Sequence, residues 1–112
     1  MVLSESQLVR ATMVALNTRG FWVIRINSGQ PLKRFRAAPA GTPDLHVIGL
    51  GWLEAKTEWG ELRTAQKKWH TRARALGANV AVFRTTSEAL KIAEEWRNNE
   101  IIKNRQSNIS SS

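Results

Sequence analysis

Four short runs of β-branched, aromatic and other apolar residues set the strongest limit on how this chain can fold. They lie at residues 21–26, 44–48, 52–56 and 79–84, and each has the length and composition of a β-strand. No apolar run approaches the roughly 20 residues that cross a bilayer. The sequence therefore predicts a sheet of four strands, without a membrane-spanning segment and with no membrane partner.

Three segments with helical signals alternate with these runs. Ser4 and Gln7 have the spacing of a capping box, which predicts a first helix that ends near Asn17. The later helices are predicted from a cap at Thr64 to Leu76, and from a second capping box at residues 85–88 to Arg97.

The resulting order is α-β-β-β-α-β-α, an α/β fold. Gly49-Leu50-Gly51 is short enough to make a hairpin of the second and third strands. The helix between the third and fourth strands allows a parallel pair there. We therefore expect a mixed central sheet flanked by helices, in a single domain over residues 1–99. The Asn- and Ser-rich residues 100–112 are expected to form a flexible C-terminal tail.

The apolar positions of this pattern predict the core. Four of the five tryptophans occupy apolar-face positions, whereas Trp59 follows the third strand in a loop, where it could stack on a base or contact a partner. The four tryptophans expected in the core are Trp22, Trp52, Trp69 and Trp96. The residues of the second helix expected to face the core are Ala65, Trp69, Ala73 and Leu76.

The chain is strongly basic and lacks cysteine. Its 112 residues include 17 Lys+Arg and 9 Asp+Glu, for a net charge of +8. The absence of Cys excludes disulfides, Cys-ligated zinc and a thiol nucleophile. A small domain this basic typically binds a polyanion, with nucleic acid ahead of an anionic membrane, although a basic surface can also serve solubility alone. We expect an intracellular, cytoplasmic protein, in the host cytoplasm if the chain is viral.

Two groups of cations are candidates for DNA binding. One group lies on the long loop after the first strand, and the other lies on the exposed side of the second helix. Both could bind phosphates without reading sequence. The loop residues are Lys33, Arg34 and Arg36, and the helix residues are Lys67, Lys68, Arg72 and Arg74.

The few acidic residues include a candidate metal site. Side chains alternate between the two faces of a strand, so Glu54 and Lys56 share a face. If the turn is symmetric, Asp44 lies opposite Lys56 on that same face, diagonal to Glu54. Two neighbouring carboxylates repel each other unless a cation lies between them, and hard oxygen ligands favour Mg²⁺ or Mn²⁺. A lysine beside such an ion fits phosphodiester hydrolysis.

Each of these residues also has a simpler interpretation. Glu54 and Lys56 could be an ion pair on a solvated strand, and Asp44 could cap a turn after Pro43. The E-x-K pattern alone is a weak signal. His46 could point towards the site by register, but a single histidine beside a strand is more often a packing residue, so we assign it no role.

Taken together, the motifs resemble the PD-(D/E)XK nuclease superfamily. Within it, the chain is similar to the virus-type replication-repair nuclease (VRR-NUC) family, especially its short, stand-alone, phage-like members. The similarity covers roughly residues 4–93. It is carried by residues 41–45 (GTPDL), 52–57 (WLEAKT) and 60–66 (GELRTAQ), with 5–8 (ESQL) and 25–29 (RINSG) in agreement.

This resemblance implies a role for each matching position. Asp44 and Glu54 would bind a divalent metal, Mg²⁺ with Mn²⁺ as a substitute, and the Ala55 carbonyl would contribute. Lys56 would be the catalytic lysine. Glu5 would complete the acidic site, although an acid at the first position of a helix also favours the helix dipole. Gln66 would lie near the scissile phosphate, although it is also an ordinary residue for a helix start.

The function that we expect is divalent-metal-dependent endonucleolytic hydrolysis of DNA, selective for branched structures such as four-way junctions. A single small domain has little surface for recognising substrate, so a homodimer with two sites is expected. The alternatives are a catalytically inactive basic DNA-binding module, and a flap, duplex or sequence-specific nuclease on the same fold. Cleavage of RNA is a further alternative.

Overall fold

The computed structural model describes residues 3–26 and 38–110, with side chains to residue 106. The expected order of three helices and four strands is confirmed. The elements are α1 (Glu5–Thr18), β1 (Val23–Arg25), β2 (Leu45–Val47), β3 (Gly51–Ala55), α2 (Thr64–Ala75), β4 (Val80–Phe83) and α3 (Thr86–Ser110).

The capping signals at the start of α1 act as the sequence indicates. The backbone N–H of Gln7 donates to the Ser4 hydroxyl, and the backbone N–H of Ser4 donates to the Gln7 side chain. Two of the free N–H groups at the helix start are thereby satisfied. The helix ends at Thr18, and Gly20, just beyond it, has a φ of 86°, in the region that glycine adopts without strain. These contacts fix the position of Glu5, the first residue of α1.

The four strands form one mixed sheet in the order β1-β2-β3-β4. The first two pairs are antiparallel and the pair β3–β4 is parallel, which confirms the mixed sheet. The predicted hairpin register is wrong, because His46 rather than Ile48 lies opposite Trp52. The turn is centred on Gly49, with a φ of 78°, and not on Leu50. The shift keeps the faces of both strands but moves Asp44 level with Glu54 instead of Lys56.

The core lies between one face of this sheet and the helices α1 and α3. Leu45, Val47, Leu53 and Phe83 are fully buried on that face. The two helices pack on each other, and the hydroxyls of Thr12 and Thr86 are 3.1 Å apart within their contact. The opposite alternating positions of β2 and β3 are therefore left to face α2.

Helix α2 covers part of the opposite face with polar residues. Its buried residues are Gln66 and His70, so the predicted apolar core face of this helix is wrong. Leu76 is 80% exposed and Ala65 is exposed, while Trp69 and Ala73 are half-buried. Trp22 is also not a core residue, since it is 69% exposed. The helix is rotated so that its polar side meets the sheet.

Helix α3 is longer than the sequence predicts. The expected end near Arg97 is wrong, because the helix continues to Ser110, through most of the segment expected to be a tail. Residues 86–110 contain neither proline nor glycine, so no residue breaks the helix. Ile101 and Ile102 lie exposed on this extension. Among the described residues, no helix has both the length and the apolar character that crossing a membrane requires.

Candidate metal centre

Three carboxylates from three separate elements converge at one end of the sheet. Glu5 begins α1, Asp44 immediately precedes β2, and Glu54 lies in β3. One oxygen atom from each side chain can be chosen so that all three lie within 4.8 Å of one another. Glu5 and Asp44 are half-buried and Glu54 is fully buried. The structure thus brings together the three residues that the sequence selected as metal ligands.

Asp44 is held by backbone contacts to the strands on both sides. Its carbonyl oxygen accepts from the N–H of Ile26 at 2.8 Å, and its Oδ2 accepts from the N–H of Ala55 at 2.8 Å. Gly41, just before it, packs against the start of α2, where a Cβ atom would overlap the Ala65 carbonyl. These contacts explain the local sequence: glycine permits the close approach, and Asp44 links β1 to β3.

Glu54 is the most perturbed acid of the site. Its side chain is 1% exposed. Burial is the largest cause that raises the pKa of Glu54, and the hydrogen bond and negative charge of Asp44 act in the same direction. The charge of Lys56 opposes them, and together these effects raise the pKa of Glu54 to about 9. In the part of the chain that the structure describes, Glu54 Oε1 has no hydrogen-bond partner. Without a cation, the folded protein therefore holds Glu54 in its neutral form at neutral pH.

Lys56 lies on the same face of the sheet as Glu54. Its backbone N–H donates to the carbonyl oxygen of Phe83 at 3.0 Å, which continues the pairing with β4 beyond the end of β3. The residue is 4% exposed, which is unusual for a lysine. The charge of Lys56 is close enough to Glu54 to lower the pKa of that carboxyl group, so Lys56 belongs to the same site.

Gln66 is buried at the start of α2. Its side-chain oxygen accepts from the backbone N–H of Arg63 at 2.8 Å, which satisfies a donor that the helix start leaves free. Gln66 therefore has a structural role in capping the start of α2. Its catalytic role stays a prediction.

Sequence reasoning missed His70. This residue is 1% exposed, and its Nε2 lies 3.8 Å from Oε1 of Glu54. Burial lowers the pKa of His70, and the positive charges of Arg74 and Lys56 lower it further. One signal could have found it: His70 follows Gln66 by four residues, so both lie on the same side of the helix.

Aromatic rings extend the same face of the sheet away from the acidic residues. His46 stacks on Trp52 with the ring centres 4.0 Å apart, and Trp69 packs its edge against Trp52 at 5.1 Å. Burial lowers the pKa of His46. The interpretation of His46 as a packing residue is confirmed by this stacking.

The cations chosen as DNA contacts have different surroundings. Lys67, Lys68 and Arg72 are exposed on α2. The guanidinium of Arg74 donates to the Val80 carbonyl at 2.9 Å, so this side chain also joins α2 to β4. Three further candidates lie outside the described residues: Lys33, Arg34 and Arg36.

Trp59 lies in the loop that follows Lys56. The guanidinium of Arg84 donates to the carbonyl oxygens of Thr57 and Gly60, both at 2.7 Å, and so fixes the two ends of this short loop. Trp59 between them is exposed, as the sequence predicts. The loop therefore presents an aromatic ring on a restrained backbone.

Comparisons of the chain with family models, with curated proteins and with solved structures found no match.

Proposed function

We propose that this protein is a divalent-metal-dependent DNA nuclease with a PD-(D/E)XK core, which hydrolyses phosphodiester bonds in branched DNA such as four-way junctions. The observation that carries the proposal is the convergence of Glu5, Asp44 and Glu54 beside the buried Lys56. Neither an ion pair on a solvated strand nor a turn cap accounts for a buried acid and a buried lysine next to each other.

The residues at the site fit a divalent ion. Three carboxylate groups offer only oxygen ligands, a set that favours Mg²⁺ or Mn²⁺ over softer metals. Burial, together with the neighbouring Asp44, keeps Glu54 protonated in the ion-free protein, and Glu54 Oε1 has no hydrogen-bond partner among the described residues. A cation would offset both unfavourable features. Asp44, Glu54 and Glu5 are the residues that would hold it.

The chemistry divides between the ion and the chain. A bound divalent ion supplies Lewis acidity towards a phosphate oxygen and lowers the pKa of a water. Lys56 lies on the face that carries Glu54 and adds positive charge where negative charge accumulates on the phosphate during hydrolysis. The burial of Lys56 restricts its side chain before substrate arrives. Gln66 lies in the first turn of α2, beside the site, and is proposed to lie near the scissile phosphate.

The surface cations of α2 are proposed to bind the DNA backbone. Lys68 and Arg72 are four residues apart and lie on one side of the helix, and Lys67 is exposed beside them. Such contacts position DNA without reading its sequence.

A homodimer would place two sites on one branched substrate. Static light scattering at tens of micromolar protein tests this, and a strict monomer would contradict it.

Cleavage of a panel of labelled DNAs tests the proposed activity. Single strand, duplex, flap, splayed arm and four-way junction are incubated with Mg²⁺, with Mn²⁺ or with EDTA. Lys56→Ala is compared with Lys91→Ala, an exposed lysine on α3 that serves as the matched control. We expect metal-dependent cutting of branched DNA that Lys56→Ala loses and Lys91→Ala keeps. Binding without any cutting would instead show an inactive DNA-binding module.

A further inference from the structure

Three buried polar atoms meet at the contact between α2 and the sheet. They are Oε1 of Glu54 and both ring nitrogens of His70, and none has a hydrogen-bond partner among the residues that the structure describes. Both side chains are 1% exposed. Buried polar groups are nearly always hydrogen-bonded, so three exceptions in one place indicate a functional arrangement.

The carboxyl group of Glu54 has two neighbours in the site. One of its oxygens lies within 4.8 Å of an oxygen of Asp44, and Oε1 has no hydrogen-bond partner among the described residues. Oε1 instead lies 3.8 Å from Nε2 of His70. This distance is slightly too long for a hydrogen bond. Functional hydrogen bonds are often long in ligand-free structures and shorten when the ligand binds.

We propose that His70 is a positioning residue for the metal centre, whose Nε2–H donates to Oε1 of Glu54 and orients that carboxylate towards the ion. The inference rests on the proposed function, because it needs Glu54 to be a metal ligand. Residues that hydrogen-bond to a metal ligand fix its orientation, and their loss typically weakens metal binding by about 10- to 100-fold. His70 would thereby couple α2 to the site.

The competing explanation is that His70 only fills space under α2. Its ring does pack edge-on against Trp69, with the centres 6.2 Å apart. An apolar ring at this position would preserve that packing but could not donate to Glu54. A side-chain amide could donate from nearly the same place as Nε2. The two explanations therefore predict different results for His70→Phe and His70→Gln.

Titration of the full chain with Mn²⁺, measured by calorimetry in the absence of DNA, distinguishes the two explanations. We expect His70→Phe to bind Mn²⁺ about 10- to 100-fold more weakly than wild type, and His70→Gln to stay within about threefold. Urea unfolding in EDTA checks that both variants fold. An affinity of folded His70→Phe within about twofold of wild type would overturn the proposal, as would equal losses in both variants.

A measurement on the unaltered protein covers the case in which His70→Phe does not fold. The chain has two histidines. The signals that disappear in His46→Phe belong to His46, so the remaining side-chain nitrogen signals in the wild-type NMR spectrum are those of His70. We expect Mg²⁺ to produce a protonated Nε2 with a downfield, slowly exchanging proton. A ring protonated at Nδ1 alone with Mg²⁺ present would overturn the proposal.

These readouts are independent of DNA cleavage. If wild type binds the ion with His70 dependence but cuts no DNA, the proposed nuclease activity fails and the role of His70 stands. If wild type cuts DNA and His70→Phe binds Mn²⁺ normally, the role of His70 fails and the proposed activity stands.

Discussion

Replacement of Glu54 by glutamine should stabilise the metal-free protein, and the gain should grow with pH. Glutamine has nearly the shape of protonated Glu54 but no proton to lose. Burial and the Asp44 carboxylate disfavour the charged form of Glu54 in the folded protein. Ionisation of this residue therefore destabilises the folded protein, and the variant avoids this cost because glutamine cannot ionise.

The sign and size of the effect follow from the pKa. Glu54 titrates near 4.5 when unperturbed and at about 9 in the folded protein. Between these values the folded state holds the extra proton, so stability is complete below the lower pKa and is lost as pH rises towards the upper one. The loss is at most about 1.4 kcal/mol per pH unit. Water that enters the site makes this loss of stability smaller. We therefore expect Glu54→Gln to increase the free energy of unfolding by about 1–2 kcal/mol at pH 7.

Urea unfolding followed by tryptophan fluorescence measures this difference. Wild type, Glu54→Gln and the exposed-acid control Glu61→Gln are compared in EDTA at about pH 5, 7 and 9. The advantage of Glu54→Gln should widen with pH, while Glu61→Gln follows wild type. Mg²⁺ should then stabilise wild type and leave Glu54→Gln unchanged. A constant difference across pH, or a less stable variant at every pH, would refute the reasoning.

Other changes give further tests. Gly41→Ala should lower the free energy of unfolding by about 2 kcal/mol or more in urea titrations, because Gly41 has a φ of 88° and its new methyl would overlap the Ala65 carbonyl. Replacing Lys67, Lys68 and Arg72 together by alanine should flatten the dependence of log K on log salt by about 3 in anisotropy titrations, if each contacts one phosphate. Mn²⁺ should slow amide hydrogen exchange in α2 while leaving α3, which contributes no ligand, unchanged.

Local signals in the sequence were sufficient for the elements and for the acidic side of the site. The spacing of Ser4 and Gln7 predicted a capping box that the structure contains. Alternation along β2 and β3, with the assumption of a symmetric turn, placed Asp44, Glu54 and Lys56 on one face. A register error of two residues preserves that face, because side chains alternate with a period of two.

The contribution of α2 could not be predicted in this way. Apolar periodicity pointed to Trp69 and Leu76 as its inner side, but the buried residues are Gln66 and His70. Periodicity assumes that a helix packs on an apolar surface, whereas the sheet presents Glu54 at this place. His70 was missed for the same reason: its contact with Glu54 joins residues 16 positions apart through tertiary packing.

The way α2 is attached links the stability of the protein to its site. Helices α1 and α3 hold to the sheet through buried apolar residues such as Leu16, Phe83 and Ala89. The two buried residues of α2 are both polar, and His70, the more buried of them, has no hydrogen bond to the Glu54 carboxyl group that it faces. The docking of α2 therefore depends on how well the charges around Glu54 are balanced, in addition to the contact between Trp69 and Trp52. A cation that ionises and orients Glu54 would give His70 an acceptor and strengthen the contact between α2 and the sheet.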